Sequence, residues 1–160
     1  MKLSAILSLL PSKTAYAHCD IPCGIYDPHN AQMAAHTVIR MTELLSLIKR
    51  DDELKAEHDV SRVTHVKEEH ASIIEKELFT LRHDYFKEEQ MKEYSNLQEL
   101  FYSALKSNSK ARQGIDMEAA KETLETVMQI AEIFFKSKGL ESVRVKAPYP
   151  TGLDIVVQKA

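Results

Sequence analysis

Apolar residues recur at three- and four-residue steps through most of this chain, and that spacing predicts amphipathic α-helices. Four such segments follow one another. They run from residue 29 to about 50, from the high fifties to about 86, from 97 to about 105, and from 116 to about 138. Because short polar stretches connect them, we predict an all-α fold, an antiparallel up-and-down four-helix bundle.

The residues between and after the helices add two expectations. Asp116 is the predicted N-cap of the fourth helix, and the Ser/Asn-rich residues 107–110 with Gly114 predict a loop before it. After Gly139 the apolar period changes to two, first at residues 143 and 145 and then at 153, 155 and 157. This change predicts a short extended C-terminal tail.

Both cysteines of the chain lie in an irregular stretch ahead of the first helix, where Pro22 and Gly24 disfavour regular structure. Residues 18–28 read His-Cys-Asp-Ile-Pro-Cys-Gly-Ile-Tyr-Asp-Pro. His18, Cys19 and Cys23 offer an imidazole and two thiolates, which are donors for a transition metal. A closed structural zinc site needs a fourth ligand, so this set is incomplete for zinc.

Cleavage between Ala17 and His18 would complete the set in a different way. It would free the α-amine of His18, and the amide nitrogen of Cys19 follows directly in the sequence. Amine, amide nitrogen and two thiolates form a planar set of four donors. Square-planar nitrogen and sulfur ligation suits Ni(II) or Cu(II) better than Zn(II).

Two other interpretations stay open from the residues alone. Lys2, the apolar residues 3–10 and the ending Ala15-Tyr16-Ala17 also fit a secretory signal peptide, which would make this an exported helical protein with a Cys19–Cys23 disulfide. Against that interpretation, the apolar run is short and the disulfide would close too small a loop to stabilise much. A metal carrier or sensor that uses the same ligands is the other alternative.

Composition and missing motifs argue against several other classes of protein. A length of 160 residues predicts one domain, and a net charge of −3 without basic runs argues against a nucleic-acid partner. No segment approaches the roughly 20 apolar residues that span a membrane. No histidine follows a glutamate at the Glu-x-x-His spacing of di-iron bundles, and the zinc motif His-Glu-x-x-His is absent from the sequence.

Two motifs carry a resemblance to a known family. The residues His18-Cys19-Asp20-x-Pro22-Cys23-Gly24-x-Tyr26-Asp27-Pro28 resemble the nickel hook of nickel-dependent superoxide dismutases, which begin with this histidine once a leader is removed. The residues Asp84-Tyr85-Phe86-Lys87 are similar to a motif on that family's second helix. The resemblance implies an enzyme that converts superoxide to dioxygen and hydrogen peroxide by Ni(III)/Ni(II) cycling.

The resemblance also implies the metal ligands. One nickel ion per subunit is bound by the amine and imidazole of His18, by the amide nitrogen and thiolate of Cys19, and by the thiolate of Cys23. The imidazole is an axial ligand of the oxidised metal, which makes His18 an implied catalytic residue.

Four further residues surround the metal by the same resemblance. Tyr26, the second implied catalytic residue, and Tyr85 flank the open face of the metal. Asp20 and Pro22 shape the loop by hydrogen bonding and a turn.

One part of the family pattern is missing from this sequence. In the better-known members a glutamate on the first helix holds the axial imidazole, and an arginine on the second helix holds that glutamate. Counting from the two motifs places Ala34 and His70 at these positions. We therefore expect His70, or water, to orient the His18 imidazole, since such supporting groups tune a ligand.

The resemblance finally implies how the chain is organised. Residues 1–17 are a leader removed by a maturation protease at Ala17–His18, residues 18–28 are the hook and 29–138 the bundle. The tail at 139–160 is predicted from its period alone and goes beyond the family's shorter members. The mature chain is then a homohexamer in the cytoplasm. If residues 1–17 act as a signal peptide instead, the protein is exported.

Overall fold

Five α-helices and a two-stranded sheet make up the computed structural model, which describes residues 24–160. The helices are α1 His29–Leu47, α2 Glu53–Thr80, α3 Glu88–Glu93, α4 Leu97–Gln113 and α5 Met117–Ser137. The predicted four-helix bundle is confirmed, and the long helices α1, α2, α4 and α5 form it. Among the described residues no helix is long and apolar enough to cross a membrane.

The core lies between the four long helices. The helix periodicity places small or branched apolar residues on the inner faces, so that the helices approach closely. The most deeply buried apolar side chains include Ala31, Val38, Ile74, Leu78, Leu97, Leu124, Val127, Ile130 and Phe134. Burying such residues is the main stabilising contribution to a bundle of this size.

Side-chain caps and a glycine define several helix ends. Asp116 caps α5 as predicted, since its Oδ1 accepts a hydrogen bond from the Ala119 amide at 2.9 Å. Asp52 caps α2 in the same way, with the Lys55 amide at 3.1 Å, so α2 begins at Glu53 and not in the high fifties. Gly139 follows α5 with a φ of 71°, the left-handed conformation that glycine adopts readily.

The prediction of a loop at residues 107–110 is wrong, because α4 continues through these residues to Gln113. Ser107 and Asn108 are buried and have partners on other helices. The Ser107 hydroxyl accepts a hydrogen bond from Thr123 at 3.0 Å, and the Asn108 amide donates to the carbonyl of Ala71 at 2.9 Å. These tertiary hydrogen bonds satisfy polar groups that favour turns in an isolated chain. The short helix α3 was also not predicted.

Lys67 holds the end of α4 from inside the bundle. Its side chain is only 2% exposed, and its ammonium donates to the carbonyls of Ala111, at 2.9 Å, and Gly114. The last carbonyls of a helix lack partners within the helix and carry partial negative charge, so a buried cation is favourable there. Burial lowers the pKa of Lys67.

The C-terminal tail is extended, as predicted, and forms an antiparallel hairpin of β1 Ser142–Lys146 and β2 Asp154–Gln158. We call these strands and their connection the C-terminal hairpin. Arg144 on β1 ties it to α5: its guanidinium donates to Glu125 at 2.8 and 2.9 Å and to Glu132 at 2.6 Å. Paired carboxylates of this kind raise the pKa of Arg144 further, so it stays charged.

Two side chains of α1 occupy the other edge of β2. The amide of Gln32 accepts from the Val156 N–H at 2.7 Å and donates to the Val156 carbonyl at 3.0 Å. One turn later, His36 Nε2 donates to the Asp154 carbonyl at 3.2 Å. Residues i and i+4 of a helix are about 6 Å apart along its axis, close to the spacing of alternate residues in a strand. Gln32 and His36, which we call the edge clasp, thus bond β2 as a neighbouring strand would.

Candidate metal centre

The residues predicted to bind the metal, His18, Cys19 and Cys23, lie outside the described residues, as do Asp20 and Pro22. The described chain begins at Gly24, one residue after the last predicted ligand. The donor set itself fits a nickel ion, because two thiolates and two backbone nitrogens favour a square-planar metal. Within residues 24–160 no group of three or more His, Cys, Asp or Glu side chains forms a competing metal site.

Residues 24–28 lead directly into α1. Gly24 has a φ of 84°, a left-handed turn directly after Cys23. The Asp27 carboxylate accepts a hydrogen bond from the His29 amide at 2.7 Å, and the Pro28 carbonyl accepts from Gln32 at 3.3 Å. The base of the hook is therefore anchored to the first turn of α1.

The structure brings together two residues that the sequence places far apart: Tyr26, near the end of the hook, and Tyr85, five residues after the end of α2. Their ring centroids are 5.5 Å apart with an interplanar angle of 54°. This is a favourable tilted aromatic contact. We call these two residues the tyrosine pair, and it lies three residues from the last predicted ligand.

A π-helical turn, Leu81–Tyr85, ends α2 and sets the position of Tyr85. The Phe86 amide donates to the Leu81 carbonyl at 2.9 Å, five residues back rather than four. One extra residue in the turn rotates the following side chains relative to the regular helix, and such turns are frequent at functional sites. The motif that starts at Asp84 is thus the place where α2 departs from regular geometry.

Tyr85 is held on several sides. Its ring lies 4.8 Å from that of Phe86 and 4.7 Å from that of Phe134, measured between centroids. The Lys138 ammonium lies 5.6 Å from the centre of the Tyr85 ring and 4.7 Å from that of Phe134. The Tyr85 hydroxyl lies 2.7 Å from the hydroxyl of Ser137. Neither Ser137 nor Lys138 was predicted to be near the site, because residues at a helix end carry no signal of their tertiary partners.

Ala34 and His70, which stand where the family has a glutamate and an arginine, are both on the helices that we predicted for them. Ala34 is buried on α1, and His70 is half-buried on α2. The Nδ1 atom of His70 lies 2.9 Å from the Val66 carbonyl, which can only accept, so Nδ1 carries the proton. The contact of His70 with His18 stays a prediction, because His18 lies outside the described residues.

A surface groove lies elsewhere on the described part of the chain. Its volume is about 750 Å³, and it is lined by the end of α1 and the start of α2, including Leu47, Ile48 and Val63. It contains neither member of the tyrosine pair. A cavity of this size suits a drug-sized ligand and not the small site expected next to the hook.

Comparison with known proteins agrees with the hook and the motif on α2. Residues 13–138 match the family described as nickel-containing superoxide dismutase. The superoxide dismutases [Ni] of Streptomyces coelicolor and Streptomyces seoulensis are each 34% identical to this chain over 128 residues, which is 80% of this chain and 93% of theirs.

Solved structures agree as well. A native nickel superoxide dismutase structure is 32% identical with a TM-score of 0.67 and is matched over 99% of its length and 76% of this chain. A second structure, with nickel ligation corresponding to the oxidised state, is 33% identical with a TM-score of 0.68 over the same shares. The C-terminal hairpin follows the last residue of the family match.

Proposed function

The chain belongs to the nickel-containing superoxide dismutase family, and we propose that it holds its nickel with His18, Cys19 and Cys23. The protein is an enzyme, a superoxide dismutase with nickel as its cofactor. The observation that carries the ligand proposal is the family match, which includes the whole hook and the motif at Tyr85. The amine and imidazole of His18, the amide nitrogen and thiolate of Cys19 and the thiolate of Cys23 are the proposed donors.

The reaction needs electron exchange and protons. Two superoxide ions and two protons give one dioxygen and one hydrogen peroxide: one superoxide loses an electron, and the other gains an electron and two protons. Nickel, when bound, supplies the one-electron exchange between the two halves. The protein must then hold the donors, admit a small anion and deliver protons.

We propose that the tyrosine pair forms one wall of the site. Tyr26 is three residues from Cys23, and Tyr85 lies against it at 5.5 Å. The aromatic surroundings of Tyr85 exclude water from the wall and leave little freedom to its ring. In this proposal Tyr26 takes part in proton delivery, and Asp20 and Pro22 shape the loop between the two cysteines.

We propose that His70 replaces the missing carboxylate in orienting His18. Because Nδ1 of His70 donates to Val66, Nε2 of the neutral ring is a hydrogen-bond acceptor, like the glutamate at the family's position. Nε2 of His70 can therefore accept a hydrogen bond from an imidazole N–H of His18. Replacing His70 by Ala should change the spectrum of the oxidised metal and lower turnover, whereas unchanged spectra and turnover would leave water as the orienting group.

We also propose a maturation and an assembly. Removal of residues 1–17 by a protease exposes the amine of His18, and the mature chains form a homohexamer in the cytoplasm. Several large apolar side chains are exposed on the described surface and support contacts between subunits, among them Leu47, Leu54, Phe79 and Ile115. Light scattering on the mature protein measures the number of subunits, and fractionation of cells finds its compartment.

One set of measurements tests the ligand proposal. The purified protein should begin at His18, contain one nickel per chain and disproportionate superoxide. A chain that still begins at Met1 yet holds nickel and is active would contradict the role of the His18 amine. Nickel without activity would favour the carrier or sensor, and oxidised cysteines without nickel would favour the Cys19–Cys23 disulfide.

A further inference from the structure

We propose that Ser137 is a positioning residue for Tyr85, and that the hydroxyl proton of Tyr85 is committed to Ser137 and does not serve the reaction. The inference rests on the proposed place of Tyr85 in the wall of the metal site. Ser137 is the last residue of α5, and it lies 52 positions from Tyr85 in the sequence.

The direction of the hydrogen bond follows from the chain of contacts. The Ser137 hydroxyl donates to the Phe134 carbonyl at 2.8 Å, and a carbonyl can only accept. A serine hydroxyl has one proton, so it has none left for the Tyr85 oxygen, 2.7 Å away. Tyr85 is therefore the donor and Ser137 the acceptor.

The surroundings keep this arrangement in place. Phe134 is almost fully buried, and its ring contacts Tyr85 at 4.7 Å, so the same residue supports both the ring and the serine that holds its hydroxyl. The Ser137 hydroxyl lies on the last turn of a 21-residue helix, which is a rigid support. A supporting group on a rigid element fixes a site residue more accurately than one on a loop.

A consequence concerns the source of protons. With its proton bonded to Ser137, Tyr85 offers the metal site a ring edge and an oxygen lone pair, and other groups supply the protons for peroxide. Loss of the serine acceptor would free the hydroxyl to turn, and both the position of the oxygen and the direction of its proton would change.

Nuclear magnetic resonance tests the hydrogen bond without relying on activity. The protein is labelled with ¹³Cζ-tyrosine and studied in full-length form without nickel, and the Tyr85 resonance is assigned from its loss in Tyr85→Phe. Ser137→Ala should shift this resonance, and Ser137→Thr should restore it, since threonine also offers a hydroxyl. Ser107→Ala is the matched control, because the Ser107 hydroxyl likewise lies near a carbonyl of its own helix, that of Ala104 at 3.2 Å, and near a hydroxyl of another helix, that of Thr123 at 3.0 Å.

Kinetics of the nickel-loaded enzyme complete the test. We expect Ser137→Ala to lower kcat by about three- to tenfold with little change in KM, as for loss of one hydrogen bond, and to add no further loss in Tyr85→Phe. An unchanged Tyr85 resonance in Ser137→Ala would overturn the proposal, as would equal effects from Ser107→Ala. If the resonance shifts while the wild-type enzyme is inactive towards superoxide, the proposed function fails and the hydrogen bond stands.

Discussion

The tyrosine pair and the edge clasp are both close to the start of α1 along the chain, since Tyr26 precedes this helix by three residues and Gln32 and His36 lie in its first turns, but they are built differently. The tyrosine pair rests on ring contacts and a hydroxyl chain and lies within the part of the chain that matches the family. The edge clasp consists of polar side chains bonded to the backbone of a hairpin beyond that match. In our proposal the tyrosine pair supports the chemistry, whereas the edge clasp attaches an additional element to a bundle that has its own core.

This difference predicts separate consequences for mutation. Loss of a proposed metal ligand should reduce nickel binding and turnover and leave the bundle stable, because the core of the bundle lies between the four long helices. Changes at the edge clasp should reduce stability and leave turnover nearly intact. The predictions below run from the largest expected effect to the smallest.

Replacement of Cys19 by Ser should have the largest effect. Loss of a thiolate donor removes nickel, so metal analysis should find close to none and superoxide turnover should fall on the order of 100-fold or more. The thermal midpoint of the metal-free protein should not change. His58→Ala, at an exposed histidine of α2, is the control and should keep its nickel. Nickel retained at one per chain in Cys19→Ser would show that the hook does not bind it as proposed.

Replacement of Gln32 by Ala tests the edge clasp. It leaves the buried N–H and carbonyl of Val156 without partners, so the free energy of unfolding should fall by about 2–4 kcal/mol. Chemical denaturation measures this fall. Gln129→Ala is the matched control, since among residues 24–160 the Gln129 amide bonds the nearby Glu125 on its own helix, and its loss should cost less than about 0.5 kcal/mol. A tenfold fall in turnover in Gln32→Ala would contradict our separation of the edge clasp from the metal site.

Replacement of Tyr26 by Leu tests the tyrosine pair. The ring contact with Tyr85 is lost, which should lower the free energy of unfolding by about 0.5–1.5 kcal/mol and turnover by about tenfold. Tyr102→Leu, at an exposed tyrosine of α4, should change neither quantity. If Tyr26→Leu keeps full turnover, the pair is a packing contact only.

The smallest effect concerns pH and His36. Burial lowers the pKa of His36, although its bond to the Asp154 carbonyl opposes this, so the unfolded chain binds the proton first as the pH falls. Stability should therefore decrease as the pH falls through about 6.5 and level off below the pKa of the folded state. Denaturation from pH 8 to 5 should show a smaller slope in His36→Asn and an unchanged slope in His58→Asn. An equal slope in all three proteins would exclude His36 as its source.

Sequence patterns predicted the regular features well. The four long helices, the Asp116 cap and the extended tail were predicted because helix period, caps and strand alternation are local properties of a chain. The failures have two physical causes. Ser107 and Asn108 favour a turn in isolation, but in the bundle they bond to Thr123 and Ala71 and stay helical. The early start of α2 and the small helix α3 come instead from local caps that apolar spacing does not reveal: the Lys55 amide donates to Asp52, and the Lys87 amide donates to Gln90.

By itself, the sequence carried the two motifs and predicted the metal donors, because His18, Cys19 and Cys23 stand close enough along the chain to act together. Only the tertiary structure decided which distant side chains meet. It joined Tyr26 to Tyr85, Tyr85 to Ser137, and Gln32 to a strand 124 residues away. The reason is that donor spacing is fixed by covalent geometry, whereas the partner of a buried polar or aromatic side chain depends on how separate elements pack.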